Sequence, residues 1–246
     1  MNPHESPLSA PVSSKSTSSR LASSGQAPVP ETELLSRSYW DRLWGRFLRH
    51  PGMIAPSGKL VQLLLPHIPR SGTVLDAGCG EGRNTMYLGR IGFRAIGLDL
   101  SRKAVKLLSN NLFEEEVRGT ALAGDARSLP FANSSFDGFL AHNLFDHLDK
   151  AGFQAAISEA WRILLPHGVL LFTLDPLPDG ITSKEAVEKD DGSYVFISGA
   201  RKGMLIRFVT EEEVTTLIDQ GWTLLKNERT PRGSRILLLK KRGQSD

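Results

Sequence analysis

Gly78, Gly80 and Gly82 stand at a spacing of two, directly after an apolar stretch that ends in an acid, Asp76. The chain then runs into a helical pattern from Arg83 to Arg90. Glycine lets a chain turn tightly and brings backbone N–H groups close to a ligand, because no Cβ stands between them. A loop of this kind binds a small molecule across the carboxyl end of a strand in an open α/β sheet. A second acid, Asp99, closes the stretch Ile96-Gly97-Leu98. From the end of a neighbouring strand it can accept both hydroxyl hydrogens of a ribose, although an Asp before Ser101 also suits the cap of the next helix. The glycine spacing is GxGxG and not the GxGxxG of the dinucleotide fingerprint, which counts against hydride transfer with a nicotinamide. His142 and His147 follow a further apolar stretch, Phe136–Ala141. An imidazole with a free pKa near 6.5 suits a general base; the alternative role is a hydrogen-bonded ring that only shapes a wall.

Holding these groups in one place requires strands and helices in alternation. Thr73–Asp76, Arg94–Asp99, Thr120–Ala123, Phe136–Ala141 and Val169–Leu174 read as strands. Arg83–Ile91, Ser101–Asn111 with Ser101 as cap, and Ala151–Leu164 read as helices between them. A helix at Glu211–Gln220 with Thr210 as cap, and strands at Trp222–Leu225 and Arg235–Lys240, complete the pattern. The alternation predicts a doubly wound, mostly parallel, seven-stranded sheet with helices on both faces. Upstream, Leu34, Leu35, Tyr39, Leu43, Phe47 and Leu48 recur at helical spacing, with Trp40 and Trp44 one turn apart, and a short helix follows at Ser57–Leu65. The interval Asp175–Arg207 breaks the rhythm with prolines, a charged run and an apolar-alternating stretch near Tyr194–Ile197. Intervals of this length are functional or disordered, and a surface insertion away from any ligand is one reading of this one.

The run Thr73-Val-Leu-Asp-Ala-Gly-Cys-Gly-Glu-Gly82 resembles motif I of class I S-adenosylmethionine (SAM)-dependent methyltransferases, and the likeness extends from about Thr73 to Leu174. It implies a Rossmann-like methyltransferase fold, SAM as cofactor, methyl transfer by in-line displacement and, for 175–209, an acceptor-side insertion or lid. By that resemblance Asp76, Gly78, Cys79, Gly80, Gly82 and Asn84 hold the methionyl half of SAM, and Arg83 reaches its carboxylate or stays solvated. Asp99 takes the ribose, Asp125 the adenine amine, and Leu100 and Ala126 the faces of the ring; the alternative for Asp125 is an ordinary turn residue. His142 falls where cofactor and acceptor meet, as a wall or as a catalytic base. The segment Ala141-His-Asn-Leu-Phe-Asp-His147 lacks the Asn/Asp-Pro-Pro-Tyr/Phe run of enzymes that methylate nucleobase or amide nitrogens. The expected acceptor is therefore a small or medium-sized molecule; a protein or tRNA acceptor and a non-catalytic SAM-binding module are the alternatives. Gly80–Leu88 is particularly similar to the tellurite-resistance and thiopurine-type subgroup. Trp40 and Trp44 either pack as core or face the cofactor's sulfonium.

Composition sets the outer bounds. A chain of 246 residues suits one domain with a proper core. Residues 1–30, rich in Ser and Pro, are expected to be a disordered extension, with one domain over 31–246 and its core at 70–175. No apolar run approaches the ~20 residues that span a bilayer. The single cysteine, Cys79, permits no internal disulfide and fits a reducing, cytoplasmic setting; it also places arsenite methylation low. The net charge of +3 is spread along the chain and points neither to nor away from nucleic acid. No metal site is expected.

Overall fold

The computed structural model describes residues 31–47 and 58–243. The expected disordered extension, 1–30, lies outside the described residues. The chain opens with helices α1 (Glu31–Phe47) and α2 (Gly58–Leu64), then alternates β1 (Thr73–Ala77), α3 (Arg83–Arg90), β2 (Arg94–Asp99), α4 (Arg102–Glu114) and β3 (Thr120–Ala123). It continues through β4 (Phe136–Ala141), α5 (Lys150–Ile163) and β5 (Leu164–Leu174). Three short strands follow, β6 (Ala186–Glu188), β7 (Ser193–Phe196) and β8 (Leu205–Arg207), before α6 (Glu211–Asp219), β9 (Trp222–Arg229) and β10 (Arg235–Lys241).

The main sheet has seven strands in the order β3-β2-β1-β4-β5-β10-β9. Only β10 runs against the others, antiparallel to both β5 and β9. Strand order reverses between β1 and β4, and their carboxyl ends open the crevice in which such sheets bind ligands. Side chains alternate across the sheet. Leu75, Phe139 and Phe172 join α5 and α6 on one face, whereas Val74, Leu140 and Leu171 join α2 and α3 on the other. This two-sided burial is why the strands read as nearly continuous apolar runs.

Caps fall where side-chain chemistry places them. Ser101 accepts the Ala104 N–H at the start of α4. Thr210 and Glu213 form a reciprocal capping box on α6. Two regions differ from the sequence reading. β5 begins at Leu164, not Val169: Phe136 pairs with Leu164 and Gly138 with Val169, so the Pro166–Gly168 segment bulges within a continuing strand instead of ending it. The interval after β5 is not simply a loop, because β6-β7-β8 form an antiparallel sheet of their own. Ala186, Phe196, Met204 and Ile206 bury one face of it, and Tyr39 of α1 packs against that cluster.

Candidate active site

The glycine loop is pinned to the neighbouring strand. Gly78 and Cys79 donate their N–H groups to the Leu98 carbonyl at 2.7 and 3.1 Å, and Gly80 donates to Asp99 Oδ2 at 3.0 Å. The other Asp99 oxygen accepts the Ser101 N–H at 2.8 Å, so this carboxylate clamps the loop and helps to start α4 together. It is 8% exposed, and burial is the first reason its pKa is pushed up to about 6, against the lowering effect of its two backbone donors.

Loop and strand ends frame a cavity of about 390 Å³. Gly78, Cys79, Gly80, Asn84, Asp99, Leu100, Asp125, Ala126 and His142 all line it. Asp76 and Gly82 do not. The Asp76 carboxylate, fully buried behind the loop, accepts the Thr85 N–H at 3.0 Å, the Thr85 hydroxyl at 2.7 Å and the Asn84 amide at 3.4 Å. Gly82, at φ +93°, faces α4; a Cβ there would meet Leu108 Cδ1 at 2.1 Å. Asp76 therefore orients Asn84, and Gly82 lets two helices approach. With its amide nitrogen turned to Asp76, Asn84 leaves a buried Oδ1 without a partner among the described residues.

Across the cavity, Arg127 grips Asp125. Its Nε lies 3.0 Å from both carboxylate oxygens, its Nη2 is 2.5 Å from Oδ2, and its backbone N–H reaches Oδ1 at 2.9 Å. Burial works to raise the pKa of Asp125, but these bonds outweigh it and hold the carboxyl below the usual range. His142 at the end of β4 makes no hydrogen bond to a described residue. Burial, and then the charge of Arg83, hold its pKa below the ordinary histidine value, while Asp175 and Glu81 pull the other way. Next to it, Asn143 adopts a left-handed φ of +53°, a conformation that Asn tolerates better than most residues. Its N–H donates to Thr173 Oγ1 at 2.9 Å, its Oδ1 accepts from that hydroxyl at 2.7 Å, and its amide donates to Asp175 at 3.0 Å.

Helix α1 closes the top. Ser36, Trp40, Leu43 and Trp44 line the cavity, and Trp40 meets His147 edge-on at 4.8 Å between ring centroids. His147 Nδ1 lies 2.9 Å from the Leu205 carbonyl of β8, which brings the small sheet to the rim. Sequence reasoning weighed Trp40, Trp44, Arg83 and His147, and all four line the wall. It missed Arg127, Asn143, Leu148 and Leu205. Arg127 had a local signal in its position two residues after Asp125; Leu205 had none.

With this geometry in hand, the likeness to known proteins can be stated. Residues 74–168 match the model of the methyltransferase domain. A probable S-adenosylmethionine-dependent methyltransferase of Mycolicibacterium smegmatis is 30% identical over 154 residues, covering 62% of this chain and 51% of that protein. A malonyl-[acyl-carrier protein] O-methyltransferase of Pectobacterium atrosepticum is 32% identical over 155 residues, covering 62% of this chain and 57% of that protein. The chain thus spans about half the length of these curated relatives. Among solved structures, the 1,6-didemethyltoxoflavin-N1-methyltransferase of Burkholderia thailandensis, crystallised with its substrate and S-adenosylhomocysteine, superposes with a TM-score of 0.63. At 23% identity, over 89% of this chain and 93% of that one, the likeness is one of fold. Residues 74–168 thus match a methyltransferase domain, and the order of the sheet is set in a fold like that of the solved methyltransferase.

Proposed function

We propose that this protein binds SAM in the cavity at the β1/β4 switch point and transfers its methyl group to a small or medium-sized acceptor. The observation that carries the reading is the convergence of Asp99, the Gly78–Gly80 loop and the Asn84 oxygen, unpartnered among the described residues, on one cavity. A buried amide oxygen without a donor is costly, and the ammonium of a methionyl group is a suitable donor. Asp99 keeps lone pairs beyond those bound to Gly80 and Ser101, which suit ribose hydroxyls. Asp125 and Ala126 at the end of β3, with Leu100, suit the edge and faces of an adenine. The indoles of Trp40 and Trp44 provide π faces for a cationic ligand.

Bound there, SAM supplies a methyl group on a sulfonium: the carbon–sulfur bond breaks as the acceptor–carbon bond forms, and the electron pair stays on sulfur. The protein's tasks are to orient the reactants, exclude water and take up the acceptor's proton. The α1 helix and the small sheet exclude water. His142, held neutral by burial and free of hydrogen bonds to the described residues, accepts the proton. The cavity is within the ~300–1,000 Å³ usual for small-molecule sites, which suits the cofactor. The test is to incubate the protein with SAM and a panel of small amines, phenols and thiols, and to follow S-adenosylhomocysteine and methylated product by mass spectrometry. Product that disappears with Asp99→Ala supports the proposal; SAM binding with no turnover on any member favours a non-catalytic binding module.

A further inference from the structure

His147 is held from three sides. Its backbone N–H donates to the Leu144 carbonyl at 3.0 Å in a short turn, and its ring meets Trp40 edge-on at 4.8 Å between centroids. The third hold comes from the small sheet: Nδ1 lies 2.9 Å from the Leu205 carbonyl of β8. A carbonyl oxygen can only accept, so Nδ1 carries the hydrogen in this contact. In the neutral ring the other nitrogen, Nε2, then presents a bare lone pair and acts only as an acceptor. Nε2 has no hydrogen-bond partner among the described residues, and it is not one of their buried unpartnered atoms. It is the polar atom that this half-buried, cavity-lining ring leaves open to a ligand.

His142 lines the same cavity under no such restraint, since it makes no hydrogen bond to a described residue. Either of its nitrogens can carry the hydrogen, which suits a group that gains and loses a proton. A ring fixed in one tautomer suits a different task, the recognition of a donor hydrogen. His147 and Leu205 also lie outside the set that the motif resemblance gives to the cofactor. Leu205 is 6% exposed and pairs with Val195 of β7, so the carbonyl that fixes the tautomer belongs to a paired strand and not to a loose loop.

We infer that His147 is a specificity-determining residue of the acceptor pocket: its Nε2, fixed as an acceptor by the Leu205 carbonyl, receives an O–H or N–H hydrogen of the methyl acceptor. Molecules without such a hydrogen, such as ethers, thioethers and fully substituted amines, leave Nε2 desolvated and unpaired, and the site disfavours them. Proton uptake stays with His142. Part of the interval after β5 thereby gains a task, because the docking of β8 sets the His147 ring. The inference rests on the SAM reading of the same cavity, so its test measures the two separately.

The protein, labelled with nitrogen-15, is first titrated to saturation with S-adenosylhomocysteine at about pH 8, above the ordinary histidine range. Its imidazole resonances are then recorded, with His147→Phe identifying those of His147. They are expected to show a hydrogen on Nδ1 and none on Nε2. Phenol and fluorobenzene follow as probes; they match in ring and size, and phenol alone has a donor hydrogen. Phenol should bind at least about tenfold more tightly and shift the Nε2 resonance, which fluorobenzene should leave in place. In His147→Phe that ratio should fall at least fivefold, with S-adenosylhomocysteine affinity unchanged as evidence of an intact fold. The wild-type spectra decide by themselves if the variant does not fold. A hydrogen on Nε2, an Nε2 resonance unmoved by phenol, a ratio near one, an unchanged ratio in His147→Phe, or no binding of either probe overturns the inference. Failure of the wild-type protein in the first titration overturns the cofactor reading instead.

Discussion

At the scale of single residues, the proposed function divides the chemistry between Asp99 and His142. Asp99 has an unfolded pKa of 3.8 and a folded value of about 6, so it binds a proton more readily in the native cavity than in the open chain. Ribose hydroxyls donate to the ionised form, and binding must therefore pull its pKa back down. The affinity for S-adenosylhomocysteine should be flat above pH 6 and fall as pH drops from 6 toward 4, as isothermal titration across that range would show. Asp99→Asn should bind at least about 30-fold more weakly, since an amide cannot accept both the Gly80 and Ser101 N–H groups and still serve the ribose. In the proposed reaction His142 acts in its neutral form. Burial lowers its pKa, so the acidic limb of the rate profile should sit below the ordinary histidine range near pH 6.5. His142→Gln should reduce kcat by about 100-fold or more with cofactor affinity little changed. A stopped-time assay that finds full activity in this variant would leave His142 as wall alone.

At the scale of elements, the three glycines separate into two functions. Gly80, at φ +55°, lies against Trp44, whose ring would be 2.7 Å from an added Cβ. Gly82, at φ +93°, lies against Leu108. Gly82→Ala should destabilise the fold by about 1–3 kcal/mol in urea titration, through overpacking of α3 on α4. Gly80→Ala should cost less than this relative to its effect on S-adenosylhomocysteine affinity, because what it displaces is α1. The loop and three acids were legible because strand, turn and helix signals are local: Asp76, Asp99 and Asp125 each end or follow an apolar run. The division of labour among them was not. That Asp76 faces Thr85 and Asn84, away from the cavity, depends on how α3 docks. Asn143 and Leu205 reach the site only through pairing partners 30 or more residues away, Thr173 at the end of β5 and His147 at the rim. The β5 bulge was hidden for a similar reason, since Pro166 and Gly168 carry the same signal whether a strand ends or continues past them.

At the scale of the whole molecule, the cavity exists because parts distant in sequence close on the sheet. Helix α1 is tied to the N-cap of α4 by the Ser101 hydroxyl on Asp41 at 2.5 Å, and to the small sheet by Arg42 on the Lys202 carbonyl at 2.5 Å. These two hydrogen bonds are partly exposed, so α1 belongs to the regions expected to open below the global unfolding free energy. Bound S-adenosylhomocysteine should slow hydrogen exchange at the α1 amides more than at those of α6, which stands away from the cavity. Asp41→Ala should weaken that protection. The same fold supports varied chemistry, so the cofactor is the claim on which everything else depends. It is tested most directly by calorimetric titration of the purified protein with SAM and with NADH, using Asp99→Ala as control. Micromolar SAM binding, absent for NADH and lost in the variant, is the predicted result. A well-folded protein that takes up no SAM, or that binds NADH in its place, would contradict the account.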